Sequence, residues 1–297
     1  MNKKSAVLVG AGVAGASYVA YRSISDEMMK RIFNRVDYKE VTDAEYLDWL
    51  ASSNAVKVTV KSFDGLKLSA YSIHNHDDDR YIIMVHGKGL NKSRLYPQAK
   101  RFDALGYNIL LIDQRCAGDS EGEYYTYGLK ESQDLQIWIS YLVNKYPEVK
   151  ICLYGFSMGA ATVMMAAGYQ LSDQVKCIVE ESGFSSMKEQ LDYVIKKDYK
   201  LALTYPVLKM LESQTKERFG FSFEDISAKR CLEENEIPIL FVHGEKDELV
   251  PFDMAKILYN HNKGEKKYYP IADAGHGECS NDENFFINVD RFICSHM

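Results

Sequence analysis

The chain has 297 residues, 46% hydrophobic and 26% charged, with 36 basic and 42 acidic side chains and a formal net charge of −6. That balance excludes an intrinsically disordered chain, and with no run of five or more Lys or Arg it speaks against nucleic acid as a partner, because phosphate binding needs a concentrated basic face. Six cysteines with no CxxC pair predict neither a zinc site nor a disulfide framework.

At the N-terminus, Lys3 and Lys4 precede an apolar run of small residues from Ser5 to Ala20. A secretory signal is one reading, with Ala14-Gly15-Ala16 as its small-residue triplet. An uncleaved anchor extending to Arg22 is another, although about 20 apolar residues are normally needed to cross a bilayer. A packed N-terminal helix is a third. Gly10 to Gly15 also matches GxGxxG after the strand-like Ala6 to Val9. That dinucleotide reading is disfavoured, because Ser23 to Met29 is helix-like and charged where a second strand closed by an acid is required. The expectation is a signal or membrane-anchor segment over 1–22, giving an extracytoplasmic or membrane-associated protein with a cytoplasmic one as the alternative, and a helical lead-in over 23–54.

Thr42-Asp43-Ala44-Glu45 has capping-box spacing and opens a short helix ending near Leu50. Two alternating runs, Val56 to Ser62 and Leu66 to Ile73, flank the hairpin signal Asp64-Gly65, so the sheet starts antiparallel. Then come short, continuously apolar runs separated by helical stretches: 81–85, 108–112, 150–154, 177–179 and 237–242, with a last strand near 268–271. Runs of this kind are buried on both faces, as a parallel sheet covered by helices requires. Residues 182–234 carry no strand signal but show helical periodicity through Leu191, Val194, Ile195, Val207, Leu208 and Leu211. They are read as a helical insertion, a cap laid over the carboxyl edge of the sheet.

Gly155-Phe156-Ser157-Met158-Gly159 follows one of these runs and opens a helical stretch, the strand-turn-helix context that GxSxG demands. Such a corner holds the Ser157 hydroxyl clear of the sheet beside the positive end of a helix. His86-Gly87-Lys88-Gly89 ends an earlier strand, where the Lys88 N–H, with that of Met158, suits an oxyanion hole. His86 itself reads as a structural hydrogen-bonding residue, and the Lys88 side chain as a solvated one, with binding of a negative group on the substrate as its alternative. Later, Asp247 follows the 237–242 run and His276 follows the last strand. A serine hydroxyl needs a neutral imidazole to take its proton, and the imidazole needs a carboxylate to fix its tautomer. The order Ser157, Asp247, His276, each at a strand end, supplies that set.

On these motifs the chain resembles the α/β-hydrolases, in the branch of bacterial serine hydrolases with a helical cap similar to the esterase and serine aminopeptidase-like families, over roughly residues 55 to 297. The resemblance implies an α/β fold with a mostly parallel central sheet, an antiparallel N-terminal hairpin, helices on both faces and a cap. It also implies a triad of Ser157, His276 and Asp247, oxyanion donors at Lys88 and Met158, and a structural loop at Asp113 to Gly122. Glu180 and Glu181 occupy the alternative acid position that some members of the fold use. A serine at the elbow disfavours an aspartate-nucleophile dehalogenase. Hydrolysis of an acyl bond is expected, with no cofactor and no metal. The substrate is a small acyl compound, first a carboxylic ester of moderate length held by Leu191, Ile195, Tyr205 and Leu208. A peptidase or amidase, or a non-catalytic binding protein on the same fold, stands as the alternative.

Overall fold

The computed structural model describes the backbone of residues 3–36 and 41–297 and the side chains of 18–36 and 41–297. The chain divides into two compact units, Met1–Asn34 with Lys188–Asp225, and Arg35–Met187 with Ile226–Met297.

The smaller unit is helical. Helix α1 (Lys3–Phe33) runs unbroken past residue 22, so the glycines at 10, 12 and 15 lie within a helix and form no strand-to-helix turn. Its later half buries a stripe of Ser25, Met28, Met29, Ile32 and Phe33, the spacing of one helix face. Phe33 meets Phe219 at 4.8 Å between ring centroids, and Gln214 donates to Asp26 at 3.0 Å. Among the described residues no helix is long and apolar enough to cross a membrane.

The larger unit is built on a sheet. Helix α2 (Ala44–Ser52) is capped by Asp43, whose carboxylate accepts from the Tyr46 N–H at 2.8 Å. This corrects the capping-box expectation by one residue: with Asp43 as the cap, the third helical position is Tyr46 and Glu45 has no reciprocal part. Strands β1 (Val56–Lys61) and β2 (Lys67–Ile73) form the antiparallel hairpin, and β2 runs antiparallel to β4 (Asn108–Ile112). The remaining strands are parallel: β3 (Arg80–Val85), β5 (Lys150–Phe156), β6 (Val175–Glu181), β7 (Ile239–Gly244) and β8 (Lys266–Ile271). The order across the sheet is β1-β2-β4-β3-β5-β6-β7-β8.

Helices follow strands in the expected alternation. α3 (Tyr96–Ala104), α4 (Glu131–Lys145) and α5 (Met158–Ala166) precede the 182–234 segment, which contributes α6 (Met187–Tyr199), α7 (Tyr205–Phe219) and α8 (Ala228–Leu232); α9 (Asp253–His261) and α10 (Phe285–Cys294) complete the chain. Tyr46, Trp49, Phe102, Phe285, Val289 and Phe292 cover one sheet face, against alternate strand residues such as Ile82, Met84, Leu111 and Val179. Their neighbours Ile83, Leu110, Leu153 and Ile178 are equally buried on the opposite face. The continuous apolar runs therefore mean what they imply: both faces are covered.

The two edges differ from the interior. In β1, Val56 is exposed and Val58 and Val60 only half-buried, with Lys57 and Lys61 in solvent. In β8, Lys267 is exposed and Pro270 interrupts the donor series, a residue tolerated only where a strand has a free side.

From β3 the chain goes to β4 on one side and then returns past β3 to β5 on the other, so the loops leaving β3 and β5 part at their carboxyl ends, a topological switch point. The β3 loop is tied down by a buried ion pair. Lys92 Nζ lies 2.6 Å from Asp113 and 2.7 Å from Asp119, and the Lys92 N–H donates to Asp113 at 2.8 Å. Arg115 likewise bridges Asp134 and Asp64 with two edges of its guanidinium, so ion pairs hold the start of the Asp113 to Gly122 loop. Breaking a buried pair by removing one partner costs about 3–5 kcal/mol. Lys92→Met should lose stability of that order in urea denaturation; a loss below about 1 kcal/mol would show that Asp113 is held by its backbone donors alone.

Candidate active site

Ser157 sits between β5 and α5 with φ +56° and ψ −115°, a left-handed backbone that a non-glycine residue adopts only under constraint. The constraint is close approach. A Cβ on Gly159 would lie 2.0 Å from the Val85 carbonyl oxygen, and one on Gly155 would lie 2.3 Å from the Gly159 oxygen. Only glycine at both places lets the first turn of α5 meet the end of β3. The Ser157 N–H is held by Glu181 O at 2.8 Å, and Ser157 O accepts from Ala161 N at 3.1 Å.

From that corner Ser157 Oγ lies 2.9 Å from His276 Nε2, and His276 Nδ1 lies 2.7 Å from Asp247 Oδ2. The Phe156 ring packs against the imidazole with centroids 5.1 Å apart. Asp247 is buried, and its second oxygen accepts from the backbone N–H groups of Leu249 and Val250, each at 2.9 Å. Leu249 and Val250 thus belong to the turn that fixes the acid, and α9 starts only at Asp253. His243 makes a further contact, its Nε2 lying 3.3 Å from Asp247 Oδ2 and 2.9 Å from Val250 O. Burial opposes a charge on Asp247, but the hydrogen bonds from His243 and His276 outweigh it and hold the carboxyl well below the usual range. A hydroxyl, an imidazole and an ionised carboxylate in series can move a proton off the hydroxyl and return it to a leaving group.

Three other acids near this site, Asp273 close in sequence to His276 and the alternative Glu180 and Glu181, are engaged elsewhere. Asp273 is exposed and paired with Lys246 at 2.6 Å. Glu181 accepts from the Tyr154 hydroxyl, and Glu180 from the Gly183 N–H at 3.0 Å. Neither glutamate is bonded to His276.

His86 is buried and its role is structural, as expected. Gln114 N–H donates to its Nε2 at 3.1 Å, so the proton resides on Nδ1 and goes to Gly87 O at 2.7 Å. Burial lowers its pKa and keeps it neutral. The turn it holds lies against the serine: a Cβ on Gly87 would come within 3.2 Å of Ser157 Cβ. Lys88 and Met158 thus flank Ser157 from β3 and α5. The Lys88 side chain departs from its expected solvated state. It is half-buried, with Nζ 5.9 Å from the Tyr125 ring centroid and 5.8 Å from that of Tyr127. Leu191, Ile195, Tyr205 and Leu208 belong to the smaller unit; Leu191 and Ile195 are buried, while Tyr205 is exposed. Among the described residues no group of His, Cys, Asp and Glu is arranged to hold a metal ion.

His243 and the two tyrosines escape the sequence reading. An aspartate followed by backbone donors two and three residues on is a recognisable turn signature, so the bonds to Leu249 and Val250 were open to inference. No pattern links His243 to Asp247 as a partner before the strand end and its turn are seen together.

Residues 76–230 match the description "Serine aminopeptidase, S33". The uncharacterized protein YqkD of Bacillus subtilis is 30% identical over 226 residues, 76% of this chain and 73% of that one. The protein bem46 of Schizosaccharomyces pombe is 24% identical over 80% of this chain and 76% of its own. In fold, an esterase of Pyrococcus furiosus superposes with a TM-score of 0.70 at 24% identity, covering 89% of this chain and 99% of the esterase.

Behind the acid, the Glu180 carboxyl is fully buried and burial raises its pKa to about 8, the charge on His243 opposing. The folded protein therefore keeps a proton that the unfolded chain releases near pH 4.5. Stability from this group is fully present below that pH and is lost as pH rises toward 8. Glu180→Gln should flatten the fall in melting temperature between pH 5.5 and 8; parallel curves in the two proteins would mean that Glu180 ionises normally.

Proposed function

The chain belongs to the serine aminopeptidase S33 family of hydrolases, and we propose that it is a serine hydrolase that cleaves an acyl bond, first a carboxylic ester, through an acyl-serine intermediate. One observation carries this reading: the hydrogen-bond series from Ser157 Oγ through His276 to Asp247. Ser157 attacks the carbonyl carbon as His276 Nε2 takes its proton, and the imidazolium then protonates the leaving group. Water then enters and gives a proton to His276 as its oxygen attacks the acyl carbon, and the bond to Ser157 Oγ breaks as His276 returns that proton to the serine, releasing the acid. Asp247 keeps the His276 proton on Nδ1 and stabilises the imidazolium between steps. The backbone N–H groups of Lys88 and Met158 receive the developing oxyanion, Met158 from the first turn of α5, where N–H groups have no partner within the helix. The first 22 residues serve export or membrane attachment and take no part in the chemistry. The family description supports amide hydrolysis as the second reading.

Ser157→Ala should lower ester turnover by about 10³-fold or more and abolish labelling by a fluorophosphonate. Asp247→Asn should cost about 10⁴-fold with KM little changed, whereas Asp273→Asn should cost far less. Full activity in Ser157→Ala would overturn the reading.

Acyl-length selectivity is assigned by the same proposal to Leu191, Ile195, Tyr205 and Leu208. One methylene in an apolar pocket is worth about 1–3 kcal/mol, so Leu191→Ala or Leu208→Ala should shift the ratio of kcat/KM for butyrate and octanoate esters. An unchanged profile in both would remove these residues from the assignment.

A further inference from the structure

Asp247 is held at more points than its partnership with His276 requires. Its Oδ1 accepts from the Leu249 and Val250 N–H groups at 2.9 Å each, and its Oδ2 meets His276 Nδ1 at 2.7 Å. His243, next to last in β7, brings a further group to that second oxygen. Its Nε2 lies 3.3 Å from Asp247 Oδ2 and 2.9 Å from Val250 O. A carbonyl oxygen only accepts, so Nε2 carries a proton whether the ring is neutral or charged. These contacts close a ring over residues 247–250: the Val250 N–H holds one carboxylate oxygen, the Val250 carbonyl holds the His243 proton, and that proton stands beside the other oxygen.

A packing role alone would not need an imidazole here. The His243 and Asp247 side chains are both fully buried, where a polar ring costs more to desolvate than an apolar one. Phe241, two residues earlier on the same face of β7, fills its place with no polar atom. His243 Nδ1 and Glu180 Oε1 are both buried without a hydrogen-bond partner. Glu180 stands opposite Phe241 on β6, so it shares that sheet face with His243. Glu180 and Glu181 from β6 and Asp247 from the turn act on the charge of the ring. Tyr268 from β8 stacks on Phe252, whose ring meets His243 edge-on at 6.0 Å. Burial opposes a charge on His243, but the hydrogen bond to Asp247 and the nearby Glu180 outweigh it and raise its pKa.

We propose that His243 is a positioning residue for the triad carboxylate: its Nε2–H ties Asp247 to the Val250 turn and takes a share of the negative charge that His276 would otherwise receive alone. This rests on the serine hydrolase reading, and deepens it by naming what governs the basicity of His276. Two histidines then divide one carboxylate. The nearer is the base, and the farther sets where the carboxylate points and how strongly it favours the imidazolium. Taking the His243 proton away leaves more charge for His276, so the imidazolium forms more easily and the acid limb of kcat/KM moves to higher pH. Taking the tether away lets the carboxylate turn, so turnover falls even above that limb.

The test uses the full chain with 4-nitrophenyl butyrate, and rates are expressed per site titrated by a fluorophosphonate, which removes any loss of folded protein from the comparison. In His243→Phe, kcat at about pH 9, above the acid limb, should fall about tenfold or more, the scale of one hydrogen bond to a charged group, with KM within about twofold. The acid limb of kcat/KM should move up by about half a pH unit or more. His243→Gln offers an N–H in place of Nε2 and should return most of both. A kcat within twofold of the unsubstituted protein in His243→Phe would overturn the proposal. So would an unmoved acid limb, which is what a ring that only packs predicts, or a His243→Gln variant no better than His243→Phe in both readouts. Should His243→Phe fail to fold, nitrogen NMR of isotopically labelled histidine in the unsubstituted chain decides, with His243 assigned through its contact with Phe252. Its Nε2 should stay protonated across the neutral range, and its signals should move when a fluorophosphonate occupies Ser157. A neutral ring protonated on Nδ1, or signals that do not respond, would overturn it. Absence of turnover together with no fluorophosphonate labelling would instead remove the hydrolase reading beneath it.

Discussion

The site depends on how closely the first turn of α5 approaches the end of β3. At Gly159 the separation leaves no room for even a methyl group beside the Val85 carbonyl, and at Gly155 the same is true within the turn itself. That approach forces Ser157 into its left-handed conformation, a strain of about 1–3 kcal/mol. The surroundings over-determine it: Ser157 is pinned through its N–H to β6 and through its carbonyl to α5. With the backbone fixed, the Oγ direction is fixed, and the loop carrying His276 meets it at 2.9 Å. One contact between main chains thus sets the direction of the Ser157 hydroxyl, which His276 and Asp247 then meet in series.

Charge is managed in the same region by pairing rather than by exposure. Lys92 and Asp113 are both buried, yet each closes the other's hydrogen-bonding needs. Asp247 is buried with two backbone donors on one oxygen and two histidines on the other. The two glutamates at the end of β6 follow the opposite course: burial raises the pKa of both, and that of Glu180 to about 8. One carboxylate held ionised beside two pushed toward neutrality is how a cluster of acids avoids mutual repulsion. Topology alone offers all three as partners for His276; the local hydrogen bonds single out Asp247.

Much of this was legible in the residues. Five of the six interior strands are continuous apolar runs because both faces are covered; Ser157 and Asp247 lie just beyond two of them, and His276 lies beyond the edge strand β8. The glycines around Ser157 announce a tight corner before its contacts are known. What escaped depends on distance in sequence or on a choice between near equals. Thr42 and Asp43 are both good caps, and only the backbone decides between them. The half-burial of the Lys88 side chain beside Tyr125 and Tyr127 is hidden because those rings come from beyond β4 in sequence and carry no local pattern to say so. His243 is hidden for the same reason, its partner being placed by a turn that the strand end leads into.

The edges of the sheet carry a consequence of a different kind. A strand with a free side is a template on which another chain's strand can crystallise, and an eight-stranded sheet leaves two of them. Here β1 offers lysines alternating with valines that are only half covered, and β8 carries Lys267 and places Pro270 where a donor would otherwise repeat. A neighbouring molecule trying to extend the sheet would have to dehydrate the ammonium groups at one end and accept a missing rung at the other. Crowding should therefore not easily turn this fold into fibrous ladders, and the sheet can keep its flanks in water while committing its interior to the corner that bears Ser157.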